Sequence, residues 1–155
     1  MNREILFKAK RKDNGEWVEG YYIYHIRRTI CPIGDSVKPE DEQHVIMQDD
    51  FSDWNMPRGT LVYEIDPGTL CQFTGLTDKN GQKIWENDII SINAYSYDEP
   101  EDDYFGVVKY CEKDACWVLK NNERFNEIIC ECFGSYTTQM INHGNIFDNP
   151  DLLEA

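Results

Sequence analysis

From its start to about residue 120 the chain is a succession of short apolar runs broken by turn-forming residues. Ile5-Leu6-Phe7-Lys8-Ala9-Lys10 leads through Asp13-Asn14-Gly15 to Trp17-Val18-Glu19-Gly20-Tyr21-Tyr22-Ile23-Tyr24. Asn-Gly between two β-rich runs predicts a hairpin, because both residues tolerate the positive φ of a two-residue primed turn. Between Thr29 and Pro39 the Pro and Gly content rises, and Glu40-Asp41-Glu42 follows, which reads as an exposed connection. Val45-Ile46-Met47 and Leu61-Val62-Tyr63-Glu64-Ile65 read as short strands around a loop containing Trp54, Met56, Pro57, Arg58 and Gly59. The apolar residues of that loop either cover a core edge or face a partner, and both readings stand.

Asp66-Pro67-Gly68, Asn80-Gly81 and Glu86-Asn87-Asp88 mark three further reversals before the apolar run at Ile89-Ile90. Phe105–Tyr110 and Cys116–Leu119 read as a hairpin across an acidic turn. Short strands at this spacing predict a small barrel. One interval departs from the period of two: Phe125, Ile128, Ile129, Cys132 and Phe133 recur at helical spacing, which predicts a short helix near 122–133 capped by Asn121 or Asn122. Asn149-Pro150-Asp151-Leu152-Leu153 predicts one closing turn, with proline at its first position. The expected organisation is an N-terminal β-hairpin region over 1–65 and a barrel region over 66–155, or one compact unit over 1–155.

Charge changes this picture in one respect. The chain has 155 residues, with 29 Asp and Glu against 15 Lys and Arg, a net charge of −14. Its 41% apolar and 13% aromatic content is too high for a disordered chain. Residues 1–30 hold seven basic and four acidic side chains, a balance of +3 that leaves −17 in residues 31–155. The basic run Lys8, Lys10, Arg11 and Lys12 and the acidic run Asp98, Glu99, Glu101, Asp102 and Asp103 are therefore interaction candidates, for example in head-to-tail self-association. The acidity disfavours nucleic acid and anionic membranes as general partners. No run approaches the ~18 apolar residues of a membrane helix, and Met1-Asn2-Arg3-Glu4 opens no signal-peptide pattern, so a cytoplasmic protein is expected. The six cysteines, at 31, 71, 111, 116, 130 and 132, are then expected to be reduced thiols. Cys111, Cys116, Cys130 and Cys132 do not have the usual spacing of a zinc knuckle.

Phe73-Thr74-Gly75-Leu76, Asp78-Lys79-Asn80-Gly81 and Ile84-Trp85-Glu86-Asn87-Asp88-Ile89-Ile90 together resemble the signature of the YopX family of phage and prophage proteins. The opening, Phe7-Lys8-Ala9 through Asn14, Trp17-Val18 and Gly20-Tyr21-Tyr22, resembles that family's start. Gly144-Asn145-Ile146-Phe147-Asp148-Asn149-Pro150-Asp151-Leu152-Leu153 resembles its closing motif. Two positions depart: Lys10 stands where the family usually has an aromatic, and Asn87 where it has glycine. Asn is the best substitute for glycine at positive φ, so the turn at Asn87 is expected to survive. The resemblance implies a mainly β protein with an SH3-like barrel in its C-terminal part, encoded by a phage or prophage and acting in the bacterial host. It carries no catalytic residues with it.

Chemistry must therefore be sought in the residues themselves. His25, His44 and His143 stand in no nucleophile motif, nor do the serines at 36, 52, 91, 96 and 135. The acidic groups Asp49, Asp50 and Asp53, and Glu86 with Asp88, are the candidates for a metal or acid–base reading, but 29 acids in 155 residues cluster without any function, and Asp88 reads better as the cap of its own turn. No enzyme activity, cofactor or metal is expected. The expectation is an accessory protein that assembles with itself and contacts a host or phage protein. The alternatives are nucleic-acid binding through the basic first hairpin, or an acidic mimic that blocks a host DNA-binding protein.

Overall fold

A computed structural model describes residues 4–94, 102–120, 127–128 and 139–154. The chain forms two compact units, Asn2–Gln72 and Phe73–Ala155. The first is built from β1 (Phe7–Lys10), β2 (Trp17–Ile26), β3 (Glu42–Asp49) and β4 (Thr60–Glu64), antiparallel in the order β4-β3-β2-β1. A further strand, β5 (Cys71–Thr77), begins beside β1, with Cys71 opposite Lys8 and Gln72 opposite Phe7, and runs on into the second unit.

Alternation sets the core of the first unit. Ala9, Val18 and Ile46 point to one face and bury with Ile65, while Phe7, Tyr22, Tyr63 and Leu70 pack around them. Gly20 lies in this face because β3 passes very close: a Cβ there would stand 2.3 Å from the Met47 carbonyl oxygen. The hairpin at Asn14-Gly15 forms, but not by a two-residue turn. Residues 11–16 make the connection, closed by the Arg11 N–H on the Glu16 carbonyl, and only Gly15 takes positive φ. The Asn14 side chain instead accepts from the Glu16 N–H, and this local bond competes with the primed turn.

The second unit contains β6 (Lys83–Trp85), β7 (Asp88–Ala94), β8 (Asp102–Cys111), β9 (Cys116–Lys120), β10 (Glu127–Ile128) and β11 (Gln139–Asn145). β6 folds back on β5, and the other five form an antiparallel sheet in the order β10-β9-β8-β7-β11. Ile90 and Ile92 of the interior strand β7 bury with Ile84, Val108, Leu119 and Met140, against which Leu76 and Trp117 pack. A 3-10 turn at Pro150–Leu153 follows the last strand, with Pro150 at its start as expected.

The mainly β class holds, but two details differ from the expected barrel. Among the described residues the five-stranded sheet is open: β11 returns to pair with β7, and β10 and β11 lie at opposite edges without pairing to each other. Within the predicted helix, Glu127 and Ile128 are instead strand, opposite Leu119 and Val118. A few apolar residues at helical spacing do not outweigh pairing with the exposed edge of β9. The rest of 122–133 lies outside the described residues.

The close approaches at Gly20 and at Gly106, where a Cβ would stand 2.5 Å from the Lys120 carbonyl oxygen, set one expectation. Gly20→Ala and Gly106→Ala each destabilise their unit by about 2 kcal/mol, measured as a lowered urea midpoint. Gly81→Ala, where a Cβ meets nothing within 4 Å but φ is +79°, costs about 1 kcal/mol, from backbone strain alone.

Candidate interaction surface

The motif of residues 73–90 is built first from local turns. The Asp78 Oδ1 accepts the N–H groups of Asn80 and Gln82, at 2.8 and 2.9 Å, and the Gly81 N–H closes the reversal on the Asp78 carbonyl. Burial pushes the Asp78 carboxyl up, but the N–H groups of Gln82, Asn80 and Asn142 outweigh it, so its pKa lies below the ordinary range. Asp88 is 1% exposed, and its Oδ2 accepts the Trp85 N–H at 2.9 Å, the turn-capping role expected for it. Asn87 takes φ +67°, so it does stand in for glycine.

Asn142 of β11 joins these turns. Its backbone N–H reaches Asp78 Oδ2 at 3.4 Å, its side-chain N–H reaches Asp88 Oδ2 at 2.7 Å, and its Oδ1 accepts the Gly144 N–H at 2.9 Å. The closing motif is tied in the same way. Asn145 Oδ1 accepts from Phe147 and Asp148, and the Ile146 N–H donates to the Asn87 carbonyl. These side chains are spent on holding strands and turns, and they tie the two motifs to each other.

The other chemical candidates are placed as follows. Asp49 pairs with Arg58 at 3.5 Å, and Asp50 Oδ1 accepts the Phe51 N–H. Among the described residues no three His, Cys, Asp or Glu side chains gather as metal ligands. Sequence reasoning missed one pair: Ser91 Oγ and His143 Nε2 share a hydrogen bond of 2.8 Å, with the Phe105 ring beside the imidazole. The pair is open to water, and β7 lies between β8 and β11 with its backbone committed to two ladders. Strand amides so committed cannot stabilise an oxyanion.

The basic run is largely engaged within its own unit. Lys8 and Lys10 lie over the Trp17 ring, 5.1 and 5.4 Å from its centroid. Arg11 binds Asp13 and stacks on Tyr63, and Lys12 pairs with Glu64 at 2.8 Å. Of the acidic run, Asp98, Glu99 and Glu101 lie outside the described residues. Asp102 and Asp103 begin β8, opposite Ala94 and Asn93.

The β3–β4 loop is the most exposed apolar feature of the first unit. Phe51 is 88% exposed, Trp54 94% and Met56 63%, so these residues cover no core edge. The loop is nonetheless ordered by its own bonds: the Asp50 N–H meets the Gly59 carbonyl, the Met56 N–H meets that of Asp53, and the Ser52 hydroxyl meets that of Met56. Tyr21, Met47 and Val62 face one another across β2, β3 and β4, and the outer two are more than half exposed. These three side chains thus form a contiguous apolar row at the surface, whereas solvated apolar residues more commonly stand singly.

A second loop is clamped by charge. Arg28 donates to Asp41 Oδ1 at 2.8 Å and to both oxygens of Asp35, at 2.7 and 3.2 Å. The bonds from Arg28 hold Asp35 down to about 2, and Asp41 lies below the ordinary value for the same first reason. The connection is exposed, as expected, and is pinned at two points.

These features define a mainly β protein whose second unit is closed by two interlocked turn motifs and whose first unit displays an ordered aromatic loop. The chain belongs to the YopX family: the family profile, described as YopX protein, matches residues 6–154. Protein EF1440 from Enterococcus faecalis, a solved structure, is similar at 22% identity over 98% of this chain and 99% of that one, with a TM-score of 0.48. No curated protein matches the sequence. Among the described residues no helix is long and apolar enough to cross a membrane.

Two outcomes follow from the geometry. Asn142→Ala strips a side-chain donor from the buried Asp88 and lowers unfolding free energy by about 2–3 kcal/mol in urea denaturation, whereas Asn80→Ala, whose side chain is exposed, costs under about 1 kcal/mol. The Arg28 clamp has a definite pH sign. Carboxylates whose folded pKa is depressed contribute order above the ordinary value of 3.8, and that order is lost as pH falls toward about 2. Protection of the Cys31 and Ser36 amides, whose N–H groups bind Asp35, taken as exchange relative to the intrinsic rate at each pH, therefore persists near neutrality and is lost across that acid window; in Arg28→Met it is low throughout.

Proposed function

We propose that this is a non-enzymatic phage or prophage accessory protein that works through protein–protein contacts, with the β3–β4 loop and the Tyr21–Met47–Val62 row as its contact surface. The observation that carries the reading is the near-complete exposure of Phe51 and Trp54 on a loop fixed by its own hydrogen bonds. Rigid, exposed aromatic side chains lose little entropy on docking and supply most of the energy of typical interfaces. Asp49, Asp50 and Asp53 around them favour a partner whose apolar cleft has a basic rim. A second copy of the chain is one such partner, since β4 is an edge strand of its sheet. Action in the host cytoplasm accords with the family's phage context.

Nucleic-acid binding through the first hairpin draws less support, because Arg11 and Lys12 are already paired with carboxylates. Counterion release needs cations available to phosphates. The acidic-mimic reading draws on the −17 balance of residues 31–155.

The test replaces Trp54 with a photo-crosslinking phenylalanine in host cells, and compares sedimentation of the wild type with that of a Phe51→Ser, Trp54→Ser double variant. The reading expects either a discrete adduct at position 54 or wild-type self-association at tens of micromolar, lost in the double variant, with stability changed by less than about 0.5 kcal/mol. A monomeric wild type that also yields no adduct would sink it.

A further inference from the structure

In the β8–β9 hairpin, Cys111 stands directly opposite Cys116 as the last paired position before the turn at residues 112–115. Directly opposed residues of an antiparallel ladder have Cα atoms about 4.5–5.5 Å apart and side chains on one face, inside the span of about 4.4–6.8 Å that a disulfide bridges. A backbone separation in that range suits a bridge between them. Both thiols are half-buried, so a small reagent reaches them, whereas Cys71 is wholly buried and Cys31 lies on the exposed loop of the other unit. The Cys111 Sγ–H donates to Asp114 Oδ2 at 3.3 Å, which holds that sulfur at the hairpin tip. The neighbouring cross-strand pair, Tyr110 and Trp117, meets edge to face at 5.2 Å, so the strands are already clasped one step inward.

We propose that Cys111 and Cys116 are a site of reversible covalent modification, forming an intramolecular disulfide by exchange with a low-molecular-weight disulfide such as oxidised glutathione. One cysteine, as thiolate, attacks a sulfur of the oxidised reagent, forming a mixed disulfide and expelling one glutathione thiolate. The second cysteine gives up its proton and attacks the protein-side sulfur, closing the Cys111–Cys116 bond and expelling the other. Two protein thiols are oxidised, one reagent disulfide is reduced to two thiols, and the two protons leave with them. The bond staples the strand that carries Trp117 and Leu119 into the core of the second unit. Excess reduced glutathione reverses it.

The test incubates the reduced full-length protein in glutathione buffers of graded redox ratio, traps remaining thiols with N-ethylmaleimide, and digests without reductant. Trypsin cuts at Lys109, Lys113 and Lys120, so the hairpin tip is opened between the cysteines. The expected product is Tyr110–Lys113 joined to Asp114–Lys120, two hydrogens lighter than the separate peptides and lost on reduction. It forms at a redox ratio about tenfold less oxidising than in the urea-unfolded chain, because the ladder holds the thiols together. Cys31→Ser leaves the product unchanged, and Cys116→Ser abolishes it. Recovery of both cysteines as maleimide adducts, as separate glutathione adducts, or joined to other cysteines would overturn the proposal, as would equal formation in the folded and unfolded chain.

Discussion

The carboxyl group of Asp88 lies almost entirely out of water at the entrance to β7, and a buried polar group of this kind is tolerated only where hydrogen-bond partners replace its lost hydration. The Trp85 N–H and the Asn142 side chain do so, one from three residues back and one from 54 residues on. That requirement fixes β11 against β7 and brings the closing motif into register with the central one. The Ile146 N–H on the Asn87 carbonyl and the Asn87 N–H on the Val108 carbonyl extend the same lattice to β8. The open five-stranded sheet is therefore held at one end by polar bonds and in its middle by the packing of Ile90, Ile92, Val108 and Met140.

The first unit is organised differently. Its sheet is held by alternation and by the close passage of β3 over Gly20, and its charges are paired at the surface, Lys12 with Glu64 and Arg28 with Asp35 and Asp41. Exposed pairs of this kind add little stability on their own. Their use here is positional: they order the connection after β2 and draw the basic run into contacts within its own unit, so that the uncommitted surface of the unit is aromatic rather than cationic. The two units thus divide the labour between a polar lock and a displayed loop.

Much of this was legible along the chain. Strand runs, the hairpins, the capping role of Asp88, the positive φ of Asn87 and the proline-led closing turn all depend on residues a few positions apart, where local sterics and hydrogen bonds decide. The Asn14-Gly15 connection was placed correctly but given the wrong turn, because a single side-chain bond from Asn14 altered the local balance. The short apolar period at 125–133 misled at Ile128 for a related reason: so short a run of five apolar positions does not separate helix from strand until a partner edge is present.

What the sequence by itself determined was the mainly β class, the family and the position of nearly every reversal, since each follows from the conformational preferences of adjacent residues. Only the tertiary structure decided that the sheet stays open, that Asn142 bridges Asp78 and Asp88, that Ser91 meets His143, and that Phe51 and Trp54 face water rather than a core. Each of these depends on which distant strands become neighbours or on what a side chain finds in front of it. Pairing and burial of that kind are won by the whole chain's competition for partners, and no local pattern records the outcome.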